Sequence, residues 1–202
     1  FDLRNEIGYS VDAALIVTEG PVTGQVAAYL NSFDDFIYIQ PTDSVAGGFL
    51  VAAYQQEDAR FYGFELSLKV SVLHRPGNHL ALTGFGEYVR AETTGTDEPL
   101  PFIPPLGWGG GALWEYGRWR TTAEVRRTEE QTRVAAFETP TPGYTFLNAA
   151  VSYAFFTGSL GHEFSLRGTN LADQMARNHV SLLKDIAPLP GRDIRFTYRL
   201  LF

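Results

Sequence analysis

The 202 residues carry a net charge of −7 and no cysteine. The missing thiols exclude a disulfide framework and a thiolate metal site, and the acidic balance excludes a nucleic-acid partner, which needs a basic surface. Charged residues make up 19% and aromatics 14%, and no apolar run reaches the roughly 18 residues of a transmembrane helix. A mean hydropathy of −0.10 does not separate a soluble sheet from a membrane barrel, where every second residue is polar.

The chain opens on "FDLRNEIGYS", already in strand pattern, with neither initiator methionine nor signal peptide, so it is expected to be a piece of a longer polypeptide. Over 3–15, Leu3, Ile7, Tyr9, Val11, Ala13 and Leu15 alternate with Arg4, Glu6, Ser10 and Asp12, the period of a two-faced strand. A second strand is read at 22–39, with a change of phase near Asp34 in "FDDFIYI". The longest lies at 50–72, where Tyr62, Phe64, Leu66, Leu68, Val70 and Val72 oppose Phe61, Gly63, Glu65, Ser67, Lys69 and Ser71. Further strands are read at 78–91, 106–117, 118–129, 143–156, 162–172 and 191–202, nine in all. The last puts Ile194, Phe196, Tyr198, Leu200 and Phe202 opposite Asp193, Arg195, Thr197 and Arg199. "NLADQMARNHVSLLKDI" is read as a loop with at most a short helical turn.

The connections alternate in length. "EGPVTG", "HRPG", "YG" and "TGSLG" are tight turns marked by Gly and Pro. "QPTDSVAGGF", "AETTGTDEPLPFIPP", "EEQTRVAAFETPTPG" and "DQMARNHVSLLKDIAPLPG" are expected to be long loops. An antiparallel meander places alternate turns at opposite ends, so one end is tight and the other elaborated, as in outer-membrane barrels. The segments also meet or exceed the roughly 9–11 residues of a membrane crossing. Mid-strand charges (Glu6, Glu65, Lys69, Arg120, Glu124, Arg126, Arg195, Arg199) keep to the polar parity; on a lipid face a mid-plane Arg or Lys costs roughly 2–4 kcal/mol. Charges on the apolar parity, Arg90 and Arg127, fall near strand ends. Trp114, Tyr116, Trp119, Tyr153, Phe155, Tyr198 and Phe202 are assigned to an aromatic belt at the short-turn end, and Phe36, Tyr38, Tyr62 and Tyr88 to one at the other. The apolar face is therefore expected to meet lipid. Nine strands leave two open edges, and complete bacterial barrels have even strand numbers. The expected fold is all-β: an antiparallel meander forming the C-terminal part, about nine strands, of a large transmembrane barrel, with 1–202 as one unit.

The order "NEIGYS", "AAYLNSFDDFIYI", "DARFYGFELSLKVSV", "LPFIPP", "TPGYTFLNAAVSYAF", "LRGTNLADQMARNH" and "LPGRDIRFTYRLLF" resembles the C-terminal barrel half of TonB-dependent outer-membrane receptors over essentially the whole chain. The most specific part is GxNLxD (Gly168, Asn170, Leu171, Asp173), followed after a long loop by PGR and a terminal Phe; "YGFEL" comes next. The resemblance implies a 22-stranded barrel closed by an N-terminal plug, of which this would be the last nine strands; the plug and the TonB box are not in this stretch. It implies a receptor in the outer membrane of a Gram-negative bacterium that captures a ferric siderophore, a metal ion or chelate such as zinc, or cobalamin in its extracellular loops. Its implied partners are outer-membrane lipid, its own plug, the TonB energy-coupling complex and the outer-membrane assembly machinery, with no cofactor. Lumen residues Glu65, Lys69, Arg120 and Arg126 would contact the plug. Phe202 and Tyr198 would belong to the terminal signal read during assembly, or simply end a lipid-facing strand.

His74, His79 and His162 stand beside short turns and are read as solvated. His179 lies in "ARNHVSLLKDIAPLPGR", which resembles a subgroup associated with uptake of zinc or other metals. One imidazole is not a site, since Zn²⁺ takes about four ligands; Asp43, Asp97 or Glu98 could join it if the loops fold together. The reading of His179 as a structural or solvated residue stands beside that of a metal ligand, and Asp97 and Glu98 are the candidate rim contacts for cargo. Asp34 and Asp35 are read as rim residues rather than a cation site. Arg126, Arg127 and Arg133 with Glu124, Glu129 and Glu130 are read as a salt-bridged wall or loop base. No nucleophile–base set or paired-carboxylate site has persuasive context, so no enzyme is expected. The rivals are a passive porin, an outer-membrane enzyme and a soluble β-rich binding module.

Overall fold

The alternating segments form nine strands: β1 (Ile7–Glu19), β2 (Val22–Ala46), β3 (Phe49–Arg75), β4 (Asn78–Thr93), β5 (Gly107–Tyr116), β6 (Trp119–Thr128), β7 (Tyr144–Thr157), β8 (Leu160–Thr169) and β9 (Asp193–Leu201). The computed structural model describes residues 3–202, apart from the side chains of Asp43, Phe49 and Leu50. All nine strands join one antiparallel sheet in chain order, with β1 and β9 at its edges. No helix occurs among the described residues. Four two-residue turns close one end. Each carries a glycine in the left-handed region, Gly20, Gly77, Gly117 and Gly158, which tight hairpin turns require and which a Cβ disfavours.

Two readings from the pattern change. The first strand runs 7–19 rather than 3–15, because the tight turn sets the pairing Glu19↔Val22 and carries the ladder to its tip. "QPTDSVAGGF" is not a long loop: β2 and β3 continue to a turn at Gly47 and Gly48, making strands of 25 and 27 residues. The phase change near Asp34 is a bulge between Phe33 and Phe36, with Asp35 at φ 56°. One extra residue moves Phe36 and Tyr38 onto the face that Phe33 occupies. They do not serve as belt aromatics. With Phe61 and Ile103 they pack on the buried residues Ala59, Ala91 and Leu100, a small core at the long-connection end.

Register keeps the two parities apart across the sheet. Val22, Val70, Leu82, Ala112, Ala123, Ala149, Gly168 and Ile194 form one continuous cross-strand row. Thr23, Lys69, Thr83, Gly111, Glu124 and Asn148 form another on the opposite face. Large apolar side chains of the first face, such as Val11, Leu15, Leu66, Leu82, Ile194 and Phe196, are exposed. In water such a surface costs about 25 cal/mol per Å²; in hydrocarbon the cost vanishes, so the apolar face is a lipid face. At Gly63 the sheet has no room for a Cβ, which would lie 2.6 Å from the Tyr29 hydroxyl and closer still to a β4 carbonyl. Its cross-strand partner Tyr29 lies over the gap.

Aromatic stacking marks the short-turn end of the lipid face. Trp119 meets Tyr153 at 4.7 Å, Trp114 meets Tyr116 at 5.8 Å, and Tyr198 meets Phe164 at 4.9 Å between ring centroids. His162, read as solvated, is part of this band: it stacks on Phe155 at 4.8 Å, and its Nδ1 shares a hydrogen bond with the Tyr198 hydroxyl at 2.8 Å. Phe202 follows β9 fully exposed.

Candidate functional site

The end opposite the tight turns is built from the outer part of the β2–β3 hairpin and three connections, 94–106, 129–143 and 170–192. Long connections bury few apolar residues, so their backbone and charged groups need specific partners. Here they find them in one another.

Glu138 is the central node. Its side chain is 2% exposed and accepts from the Lys184 ammonium at 3.1 Å. It also accepts the backbone N–H of Phe102 at 3.1 Å and that of Ala135 at 3.3 Å. One carboxylate thus joins all three connections. His179 completes the node: its Nε2 stands 3.7 Å from Glu138 and its Nδ1 is 3.0 Å from the Thr141 hydroxyl. The Thr139 hydroxyl donates to Asp185 at 2.6 Å, and Arg177 donates to the Lys184 carbonyl. No buried side-chain polar atom among the described residues lacks a partner.

Burial, and then the charge of Lys184, hold the His179 imidazole below its ordinary value, outweighing Glu138 and Asp185. The folded state therefore takes up a proton less readily than the unfolded one. Its contribution to stability is complete above the unfolded value of about 6.5 and is lost as pH falls below it. Amide exchange in 170–192 is expected to accelerate from about pH 7.5 to about pH 5.5, after correction for intrinsic rates, more than exchange in the β4–β6 wall. His179→Asn is expected to flatten that difference; an unchanged pH profile in the variant would contradict the assignment.

A second node gathers arginines about Glu92, which is 1% exposed. Arg60, its cross-strand partner, donates from Nε at 2.8 Å; Arg90 donates from Nε at 2.9 Å and Arg133 from Nη2 at 2.5 Å. Burial pushes the Glu92 carboxyl up, but the Arg60 and Arg90 hydrogen bonds with the charges of Arg90 and Arg133 together outweigh it and hold it low. Asp97 belongs to this node through Arg60 at 2.9 Å, and Glu98 pairs by its backbone with Thr93. A third node explains the GxNLxD motif. Asn170, buried at φ 48°, donates to the carbonyls of Gln174 and Pro190 and accepts from the Gln174 N–H, closing the 170–192 connection on itself. Asp173 accepts the Arg192 N–H at 2.9 Å, and Leu171 fills the space that a Cβ on Gly168 would need.

The candidate loop residues are thus placed in different nodes: His179 in the Glu138 node, Asp97 and Glu98 beside the arginines. The Asp43 side chain lies outside the described residues. Among the described residues no group of three His, Asp or Glu is arranged to hold a metal ion. Glu65, Lys69, Arg120 and Arg126 share the polar face of the sheet. Arg126 pairs with Glu87 at 2.5 Å and lies over the Phe85 ring, and Arg120 pairs with Glu115 at 2.6 Å. Glu65 and Lys69 form no ion pair among the described residues. Of the salt-bridged set read from the sequence, Arg127 pairs with Glu129 at 3.0 Å, whereas Arg133 leaves that set for Glu92. The pattern did not expose Glu92, Glu138 or Lys184 as nodes.

Residues 1–171 match the family model described as TonB dependent receptor-like, beta-barrel. Among solved structures, the copper transporter OprC is 21% identical with a TM-score of 0.84. The FrpB iron transporter from Neisseria meningitidis (F3-3 variant) is 13% identical with a TM-score of 0.69. Each match covers 98% of this chain and 31% of the other, so the chain spans about a third of the length of these structures. No curated protein matches in sequence.

Proposed function

Because the chain belongs to the TonB-dependent receptor family, we propose that it is the C-terminal part of an outer-membrane receptor for active uptake of a scarce, metal-containing nutrient. The observation that carries this reading is the interlocked assembly of three long connections standing on a lipid-facing wall. A passive opening needs no such scaffold; a surface that recognises cargo does. In this reading the nine strands are the last of a 22-stranded barrel, with the plug preceding them and the TonB complex supplying energy from the periplasm. That the two structural neighbours are a copper and an iron transporter favours a metal ion or chelate as cargo.

Cargo contact falls to the exposed rim, with Asp97 and Glu98 in direct reach and His179 acting through the Glu138 node that holds 170–192 in place. Lys69 and Glu65, without an ion pair among the described residues, are the foremost lumen groups for the plug, and Arg120 and Arg126 shape the wall beside it. Tyr198 and Phe202 present the terminal signal to the assembly machinery.

The test is uptake of labelled copper, iron and zinc by cells in which the full-length receptor is the sole high-affinity route. Uptake is expected to stop when the proton-motive force is collapsed; uptake that persists would indicate a passive channel and sink the proposal. With a cationic cargo, Asp97→Asn with Glu98→Gln is expected to slow uptake at limiting concentration by roughly tenfold, the equivalent of about 1.4 kcal/mol. An unchanged rate would remove both carboxylates from the capture surface.

A further inference from the structure

Two of the three histidines beside the tight turns are brought face to face. Strict alternation along β3 would point His74 at lipid, on the parity of Leu68 and Val70. An extra residue between Ser71 and Leu73 reverses that, as a bulge does. His74 then pairs directly with His79 of β4, which aligns with Glu115 of β5 and Arg120 of β6. All four share the polar face, at the end that the reading above turns toward the periplasm. Their base is rigid. The ladder runs to Arg75↔Asn78, and the Gly117 N–H donates to the Gly77 carbonyl at 2.8 Å, tying this turn to that between β5 and β6.

The imidazoles are spaced as one metal ion spaces its ligands. Their ring centroids lie 5.3 Å apart. A Zn–N bond of about 2.0–2.1 Å places each centroid about 3.2 Å from the ion, so two rings at a tetrahedral angle stand about 5.2 Å apart. Turning a ring about its Cβ–Cγ bond selects the nitrogen that faces its partner without moving the centroid. His79 also has the orienting carboxylate that metal-bound imidazoles use. Glu115 Oε2 lies 3.4 Å from its Nδ1, and Glu115 is held in turn by Arg120 at 2.6 Å. That leaves Nε2, 3.4 Å from the Ser71 hydroxyl, as the coordinating atom. The His74 side chain makes no hydrogen bond or ion pair among the described residues. The open recess in front of the pair holds about 1000 Å³, enough for an ion that keeps part of its hydration.

We propose that His74 and His79 form a two-imidazole site for Zn²⁺ or a chemically similar divalent transition-metal ion at the inner mouth of the lumen. Water completes the coordination, and Glu115 orients His79 rather than adding a third ligand. Two ligands hold an ion loosely enough to release it, as passage requires. A role at the exit rests on the receptor reading; the binding itself does not.

The full-length receptor, without a polyhistidine tag and stripped by chelator, would be titrated with Zn²⁺ against a chromophoric competitor. The parent is expected to bind one Zn²⁺ more than His74→Gln or His79→Gln, and Glu115→Gln to hold that ion about tenfold more weakly. His162→Gln, on the lipid face, is expected to match the parent. Co²⁺ in place of Zn²⁺ is expected to show the visible absorption of a tetrahedral site, lost in the same two variants. Heat-modifiable migration on gels checks that each variant folds. A Zn²⁺ count in folded His74→Gln and His79→Gln equal to that of the parent would overturn the site. Uptake that survives collapse of the proton-motive force would sink the receptor reading and leave the Zn²⁺ count as it is, so the two failures are distinguishable.

Discussion

Glu138→Ala is expected to free the connections 94–106, 129–143 and 170–192 from one another while leaving the strands below them intact. The substitution leaves the Lys184 ammonium, 6% exposed, without its anion, and removes the acceptor of two backbone N–H groups. Breaking a buried pair by deleting one partner costs about 3–5 kcal/mol, most of it the penalty of the charge left behind. Local opening of the three connections should then rise about a hundred- to several-thousand-fold. Limited proteolysis and amide exchange on the full-length receptor read this directly. The barrel should keep its heat-modifiable migration, because the ladder makes no use of Glu138. Glu138→Leu with Lys184→Met removes both charges and should recover much of the protection, since an apolar pair of similar volume often equals a buried ion pair. Cleavage no faster than in the parent would show that the connections are held by something other than this node.

Glu92→Ala is expected to act on the outer wall with comparable size. Three guanidiniums converge on that carboxylate, and without it they repel one another across a small space. The loss is put at about 3–5 kcal/mol for the region joining β3, β4 and the 129–143 connection. Glu92→Gln keeps the shape but not the charge and should fall between parent and alanine. Acid gives an independent check. A carboxyl held below its unfolded value near 4.5 contributes stability that is present above that value and lost as pH falls through the folded value. Protection at Ala91, Leu100 and Arg133 should therefore survive the protonation of His179 and fail only in stronger acid. Simultaneous loss of both regions would mean that the nodes are one cooperative unit.

Most of the wall was legible because lipid and lumen impose opposite demands on alternate residues, and Val22 to Ile194 or Lys69 to Glu124 satisfy them without exception. The bulge was legible too, as a broken phase at Asp34. The extent of β2 and β3 was not. Beyond the membrane no solvent contrast enforces alternation, so "QPTDSVAGGF" shows only Pro, Asp and Gly, which suit a loop equally well. The site was legible as a set of loops and opaque as a structure. Glu92 looks like one more charge at a strand end until Arg133, 41 positions away, returns to it. Glu138 sits in a Thr/Pro-rich stretch with nothing to mark its burial. His179 stood out because, unlike the other three histidines, it lies in a long connection; its place against Thr141 and Glu138 depends on long-range contacts that no local pattern encodes. Asn170 and Asp173 drew notice through a motif, and their left-handed backbone supplies the physical reason for it.

The β2–β3 hairpin is also a lever. From Phe33 to its tip it runs about 45 Å at about 3.3 Å per residue, and an isolated two-stranded ribbon has little rigidity of its own. Its stiffness is borrowed at the base, where Phe36 and Tyr38 rest on the core formed by Ala59, Ala91 and Leu100. A rotation of about 5° at that fulcrum displaces a tip about 45 Å away by about 4 Å, more than the length of a hydrogen bond. Small adjustments in the packing beneath the ribbon are thereby magnified into large excursions at the end farthest from the membrane.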